Sequence, residues 1–453
     1  MNQVILTING YLWGLPMIAF LFCTHLLMTV KTGVIQRKTL KGIKLSLTKA
    51  RGAKNEISPF AALATSLAST LGTGNIIGVA TAISMGGAGA VFWCWLTGIF
   101  AMATQYAECV LAVRYRENTE SGFVGGTMYV LKKGLQSPYI GGVYAFLAAL
   151  GGVLTGAAIQ SNAMSSVITS AVGDNVYIGN ISLVKFMVGS ITAILTALVV
   201  FGGIDSISTV CSRFVPLMAL LYALGCFAVL FINRSTLSQT TSLIISEAFS
   251  LKAVAGGAVG STMLHALRFG MARGLLSNEA GLGTSSVVSA AANTPNPVRQ
   301  GLVAMTATFW DTVVMCLVTG IVIVSTNIAL PGSMGMDSSA MCLMAFSQIG
   351  YVGEIILVLS MVLFAFSTVL GWSFTGLCCA QYIGGVKCRK PYLCLWVFAV
   401  FVSPHMTLDV VWNLADFCNA FLAVPNVYAL IMLGGEVSRL TKQFVNKPDE
   451  VCV

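Results

Sequence analysis

Residues 67–83 read LASTLGTGNIIGVATAI, two apolar helical stretches joined by Gly72, Thr73, Gly74 and Asn75. Glycine weakens a helix interior and an asparagine side chain competes for backbone partners, so the run predicts a break. Its surroundings make that break costly. Of the 453 residues 56% are hydrophobic and only 9% charged, and apolar stretches of about 20 residues recur from end to end, as in a polytopic membrane protein. In hydrocarbon an unpaired amide or carbonyl costs several kcal/mol, so an unwound turn survives only where protein, water or a ligand completes it. Free amides of Thr73 and Gly74 would suit a carboxylate, and the carbonyls before them would suit Na⁺. Glycines that merely allow close helix packing are the alternative. No strand precedes them, which excludes a dinucleotide fingerprint.

Outward from this segment we place about eleven spans, at roughly 10–31, 58–85, 88–113, 141–172, 183–202, 213–232, 242–266, 300–326, 348–376, 392–410 and 413–435. The cations set the orientation. Lys31, Arg37, Lys38, Lys41, Lys44, Lys49, Arg51 and Lys54 crowd the first connection, which the positive-inside rule puts in the cytoplasm. Arg114, Arg116, Lys132, Lys133, Arg213, Arg268, Arg273, Arg299, Lys387, Arg389, Lys390, Arg439, Lys442 and Lys447 then fall on the same side. Lys185, Arg234 and Lys252 fall outside. The expected topology is N-terminus out and C-terminus in, a multi-pass protein of the cell membrane. The formal charge of +9 is thereby topology signal and lipid contact, without nucleic acid. The first span precedes its basic cluster, the stop-transfer order, and is expected to be retained.

Five spans over 58–232 and five over 242–435 would run in opposite senses, an inverted repeat preceded by residues 1–57 and followed by a tail, 436–453. Each half opens on an interrupted helix, GTGN at 72–75 and AGGAVGS at 255–261. Matched interruptions are the best sequence pointer to a transporter binding site, so Gly256 and Gly257 join Thr73, Gly74 and Asn75 as candidate substrate contacts.

Three blocks carry a resemblance: GTGNIIGVATAISMGGAGAVFWCWLTGIFAMATQYAECVLAVRYRE, SNEAGLGTSSVVSAAANTPNPVRQGLVAM and FAFSTVLGWS. In this order they resemble the alanine or glycine:cation symporter family over nearly the whole chain. The departures are Cys94 for a methionine, Ala101 for a glycine, and TSSVVSAAAN for a more usual SAPIAHAAA. The resemblance implies an all-α membrane protein with the leucine-transporter-type five-plus-five inverted repeat after one extra helix. It also implies Na⁺-driven uptake of a small neutral amino acid, with Na⁺ the co-transported ion and no organic cofactor. It nominates Gln160, Thr368, Gly371 and Trp372 for substrate; 368, 371 and 372 share a helical face. Read without the family, Gln160 is equally interhelical glue. By fold analogy Na⁺ would meet the carbonyls of Ala68, Leu71 and Phe364 and the hydroxyls of Ser367 and Thr368.

Glu108, Asp311 and Asp416 are charged inside spans and therefore functional candidates. Glu108 could pair with Arg114 or Arg116, and Asp311 is the candidate gating or proton-sensitive carboxylate. Asn278 and Glu279 are expected to cap a helix start beside a gate. No clustered nucleophile, base or metal set suggests an enzyme, and no obligatory protein partner is evident. A proton-coupled permease of the same fold, or a carrier preferring glutamine or serine, remains the alternative.

Overall fold

A computed structural model describes residues 13–48, 57–119, 122–173, 177–178, 181–250, 262–294, 296–332, 336–406 and 408–446. The helices follow from long apolar runs with little glycine or proline inside them. They are α1 (Leu15–Lys31), α2 (Thr39–Ser46), α3 (Pro59–Thr70), α4 (Ile77–Gly86), α5 (Ala90–Arg114), α6 (Pro138–Val172), α7 (Leu183–Val200) and α8 (Gly203–Ile232). Then come α9 (Leu237–Ala248), α10 (Thr262–Asn278), α11 (Thr284–Ala290), α12 (Pro297–Ala329), α13 (Ser338–Ser347), α14 (Tyr351–Gly384), α15 (Arg389–Val402) and α16 (Leu408–Asn446). Seven helices among the described residues are long and apolar enough to cross a membrane, or nine if two pairs bent by 65° each make one span. Helices α10 and α15, with 17 and 14 residues, are too short to be counted so; eleven requires both.

Helices α7 and α8 present rows of exposed apolar side chains, Ile191, Ile194 and Leu198 on one and Leu217, Leu220, Leu224 and Phe227 on the other. That is the surface hydrocarbon solvates. Helix α5 is buried over most of its length, packed between α10 and α12. The first broken helix, α3–α4, meets a second, α10–α11, with α3 against α11 and α4 against α10. Only antiparallel partners can pair their halves this way.

This pairing corrects the expected seventh span. Residues 242–266 do not form one helix. Helix α9 instead packs on the corner between α4 and α5, where Glu247 Oε2 accepts from the Ala88 amide at 2.6 Å and Trp93 Nε1 donates to Ala248 O at 3.0 Å. Residues 251–261, with Gly256 and Gly257, lie outside the described residues. The break visible in the second half lies between Asn278 and Thr284, in NEAGLGT. Arg273 accordingly sits inside α10 rather than in a cytoplasmic loop.

Candidate transport site

Helix α3 starts on Ser58, whose hydroxyl accepts from the Ala61 amide, and Pro59, preset for a first turn. It ends at Thr70, and a single 3₁₀ turn, Thr73–Asn75, leads into α4. Asn75 holds the break. Its Oδ1 accepts from the Gly72 amide at 3.0 Å, and its Nδ2 donates to Asp311 Oδ1 at 2.7 Å and Ser277 Oγ at 3.1 Å. The Gly72 amide is thus diverted from the Ala68 carbonyl it would bond in a continuous helix. Among the described residues, no hydrogen bond engages the amides of Thr73 and Gly74. A Cβ built on Gly74 would meet nothing within 4 Å, so this side of the turn faces space.

That space is a cavity of about 370 Å³ whose lining includes Gly72, Thr73, Gly74, Gln160, Thr368 and Trp372, within the range of small-molecule sites. Thr73 Oγ1 donates to Gln160 Oε1 at 3.3 Å. Gln160 follows a π-helical stretch, Gly152–Ile159, a distortion that re-aims side chains and recurs at functional positions. Trp372 is fully buried over Gly156. Two expected substrate contacts lie outside this lining. Asn75 is absent from the lining and clamps the break. Gly371 is absent too: its missing side chain lets α14 approach α3, where a Cβ would lie 2.6 Å from the Ser69 amide nitrogen.

The expected Na⁺ oxygens are brought together in part. Thr368 Oγ1 lies 3.0 Å from Phe364 O and 3.4 Å from Leu71 O, donating to both, and Ser367 Oγ donates to Phe364 O at 2.9 Å. Helix α14 thereby offers a hydroxyl and a carbonyl beside the last carbonyl of α3. Oxygen-only sets of this kind suit hard cations.

The second break is built differently. Asn278 ends α10 rather than starting a helix: its Nδ2 donates to Gly274 O at 2.7 Å and its Oδ1 accepts from the Ala280 amide at 3.0 Å. Glu279, Gly281 and Gly283 all have positive φ, which turns the chain sharply at little cost only for the glycines. Glu108, expected to pair with Arg114 or Arg116, instead accepts from the Gly281 amide at 2.7 Å and Asn426 Nδ2 at 2.6 Å. Arg114 pairs with Glu436 at 3.3 Å, and Arg116 donates to the carbonyls of Ala290, Ala292 and Thr294. Asn426 Nδ2 also donates to Gly281 O at 2.8 Å, its Oδ1 accepts from Thr127 Oγ1 at 2.8 Å, and Tyr144 donates to Leu282 O at 2.8 Å.

Glu279, expected to cap a helix start beside a gate, instead lines the cavity and accepts from Trp372 Nε1 at 3.0 Å and Thr284 Oγ1 at 2.7 Å. Sequence reasoning missed Arg273, which lines the same cavity with Asp416. Asp311 is fully buried in a π-helical stretch of α12, held by Asn75 from one break, Ser277 from the end of α10 and its neighbour Thr312. One carboxylate thus ties both broken helices to a third element.

Two antiparallel broken helices around a cavity that mixes polar and apolar side chains, in an apolar bundle, define a membrane transporter of the inverted five-plus-five type. The fold resembles that of MhsT in complex with L-phenylalanine at TM-score 0.54, with 13% identity over 88% of this chain and 91% of that one. The chain belongs to the sodium:alanine symporter family, whose model matches residues 1–451. It is similar to the sodium/alanine symporter AgcS of Methanococcus maripaludis, 38% identical over 97% of this chain and 96% of the relative. It is also similar to the probable sodium/glutamine symporter GlnT of Bacillus subtilis, 31% identical over 97% and 90%.

Proposed function

We propose that the protein imports a small neutral amino acid, such as alanine or glycine, with Na⁺ across the cell membrane by alternating access. The observation that carries this reading is the pair of unengaged amides at Thr73 and Gly74, facing a cavity whose other wall holds Gln160, Thr368 and Trp372. The amides and the positive end of α4 receive the substrate carboxylate, Gln160 orients it, and Trp372 covers its side chain. Na⁺ takes the carbonyls of Ala68, Leu71 and Phe364 with the hydroxyls of Ser367 and Thr368. The ion then ties α3 to α14, and the substrate ties α4 to the rest of the cavity, so joint occupancy favours the closed state from which the bundle rocks. One Na⁺ crossing about 100 mV supplies roughly 2.3 kcal/mol, on the order of fiftyfold accumulation. The solute passes without chemical change.

The orientation, N-terminus out, rests on the gathering of cations at one end: Lys41 over the Phe444 ring, Arg114 and Arg439 against Glu436, and Lys132 and Lys133 against Glu117. Uptake of radiolabelled alanine and glycine into proteoliposomes tests the function. The expected outcome is accumulation with an inward Na⁺ gradient and none with choline. Accumulation driven by a pH gradient alone would replace this reading with the proton-coupled one, for which Asp311, buried among neutral donors, is the group to examine.

A further inference from the structure

We infer that Glu279 is the counter-charge for the ammonium group of the transported amino acid and so the residue that restricts the cavity to amines. The inference rests on the transport reading above.

Breaking α10 diverts two amides. A continuous helix would bond the Ala280 amide to Leu276 O and the Gly281 amide to Ser277 O; here the first goes to Asn278 Oδ1 and the second to Glu108 Oε1. Leu276 and Ser277 both line the cavity. Their freed carbonyls lie at the negative end of a 17-residue helix, a place that favours positive charge. The next residue but one is Glu279, whose φ of 54° is a strained choice for a non-glycine residue and marks a position under constraint.

Its partners leave the charge uncompensated. Both hydrogen bonds come from neutral groups, the Trp372 indole and the Thr284 hydroxyl, and each occupies one oxygen of a carboxylate that offers about four acceptor sites. Among the described residues no cationic nitrogen lies within 4.0 Å of it. Arg273, the cation in the same lining, makes no ion pair with Glu279. A buried carboxylate without a cation holds a proton until a partner arrives that brings the charge. The substrate's ammonium does so. The cavity is then matched end to end to a zwitterion, with donors at Thr73 and Gly74 and acceptors at Leu276, Ser277 and Glu279. Replacing the ammonium by hydroxyl leaves Glu279 unpaired, the kind of mismatch that polar sites reject most strongly.

The test is equilibrium binding of radiolabelled L-alanine to the purified full chain in Na⁺ buffer, with L-lactate as competitor. Wild type is expected to prefer alanine strongly. In Glu279→Gln, alanine affinity falls about tenfold to a hundredfold, lactate affinity changes far less, and the preference collapses. Glu279→Asp, with its charge one methylene farther away, falls between, and it carries the test by itself if the glutamine variant does not fold. A purely structural role would weaken both ligands together, so an unchanged alanine-to-lactate ratio in either folded variant overturns the inference. A wild type that binds no small amino acid overturns the transport reading itself.

Discussion

At the first break Asn75 takes up the Gly72 amide, and Thr73 and Gly74 keep theirs free. At the second, side chains from three other helices or turns reach in: Glu108 holds the Gly281 amide, Asn426 the Gly281 carbonyl and Tyr144 the Leu282 carbonyl. The turn following α10 is therefore completed by protein, with Leu276, Ser277 and Glu279 lining the cavity beside it. The turn following α3 is completed by protein on one side alone. Two corresponding defects, one in each half of the inverted repeat, thus divide the work, one left for solute and the other wired as a fixed wall. The division predicts that damage at the second break is read out in stability and damage at the first in transport.

The largest effect expected is from Asn426→Leu. It strands the Gly281 carbonyl, removes a donor from Glu108 and leaves the Thr127 hydroxyl only longer contacts to Gly283 O and Ser286 Oγ, all buried. Lost partners of this kind sum to about 3–5 kcal/mol. The apparent melting temperature of the purified protein should fall markedly. Thr73→Val, the matched change at the first break, removes a single 3.3 Å bond to Gln160 and should shift stability by less than about 1.5 kcal/mol while lowering uptake. Equal melting shifts would break the comparison.

Gly72→Ala should come next. Gly72 has extended backbone angles that alanine tolerates, but its Cβ would lie 2.9 Å from Thr368 Oγ1 and 3.6 Å from Gln160 Oε1. Thr368 must swing away from Leu71, separating the oxygens proposed for Na⁺. Initial uptake rates should drop by about tenfold or more with expression retained; normal uptake would show that the approach of α14 to the first break is packing alone.

The first break was legible because Gly72–Asn75 interrupts an otherwise apolar run, and periodicity needs no tertiary information to expose that. Its expected mirror, 255–261, lies outside the described residues, and the break they do show, in NEAGLGT, was not expected for a physical reason. AGGAVGS has more glycine than NEAGLGT, whereas the actual turn is shaped by Glu279, Gly281 and Gly283 and repaired from distant helices. Helix α10 also carries His265, Arg268 and Arg273, too polar for a lipid-facing span, so it reads as a loop until its neighbours are known. The signal that could have found the turn was the polar pair Asn278–Glu279 set against two closely spaced glycines. Asn75, expected among the substrate contacts, lies outside the cavity lining and bonds to Asp311, and a sequence does not say which way a 3₁₀ turn aims its side chain. Gln160, Thr368 and Trp372 came from the family resemblance, and the π-helical stretches carrying Gln160 and Asp311 to the centre leave no sequence signature.

The smallest effect concerns Na⁺ alone. If the ion bridges α3 and α14 beside the first break, it binds the folded protein only and must stabilise it by mass action. At about ten times its dissociation constant the gain is about 1.4 kcal/mol, so wild type in NaCl should melt a little higher than in choline chloride. Thr368→Ala removes the side-chain oxygen that lies between Phe364 O and Leu71 O. A fivefold weaker site would cut the gain to about 0.6 kcal/mol at the same concentration and raise the Na⁺ needed for half-maximal uptake in proportion. Because this variant leaves every bond at the second break in place, its melting point in choline should nearly match wild type. A Na⁺-dependent shift that survives Thr368→Ala unchanged would move the ion elsewhere and leave the open amides as the first break's sole function.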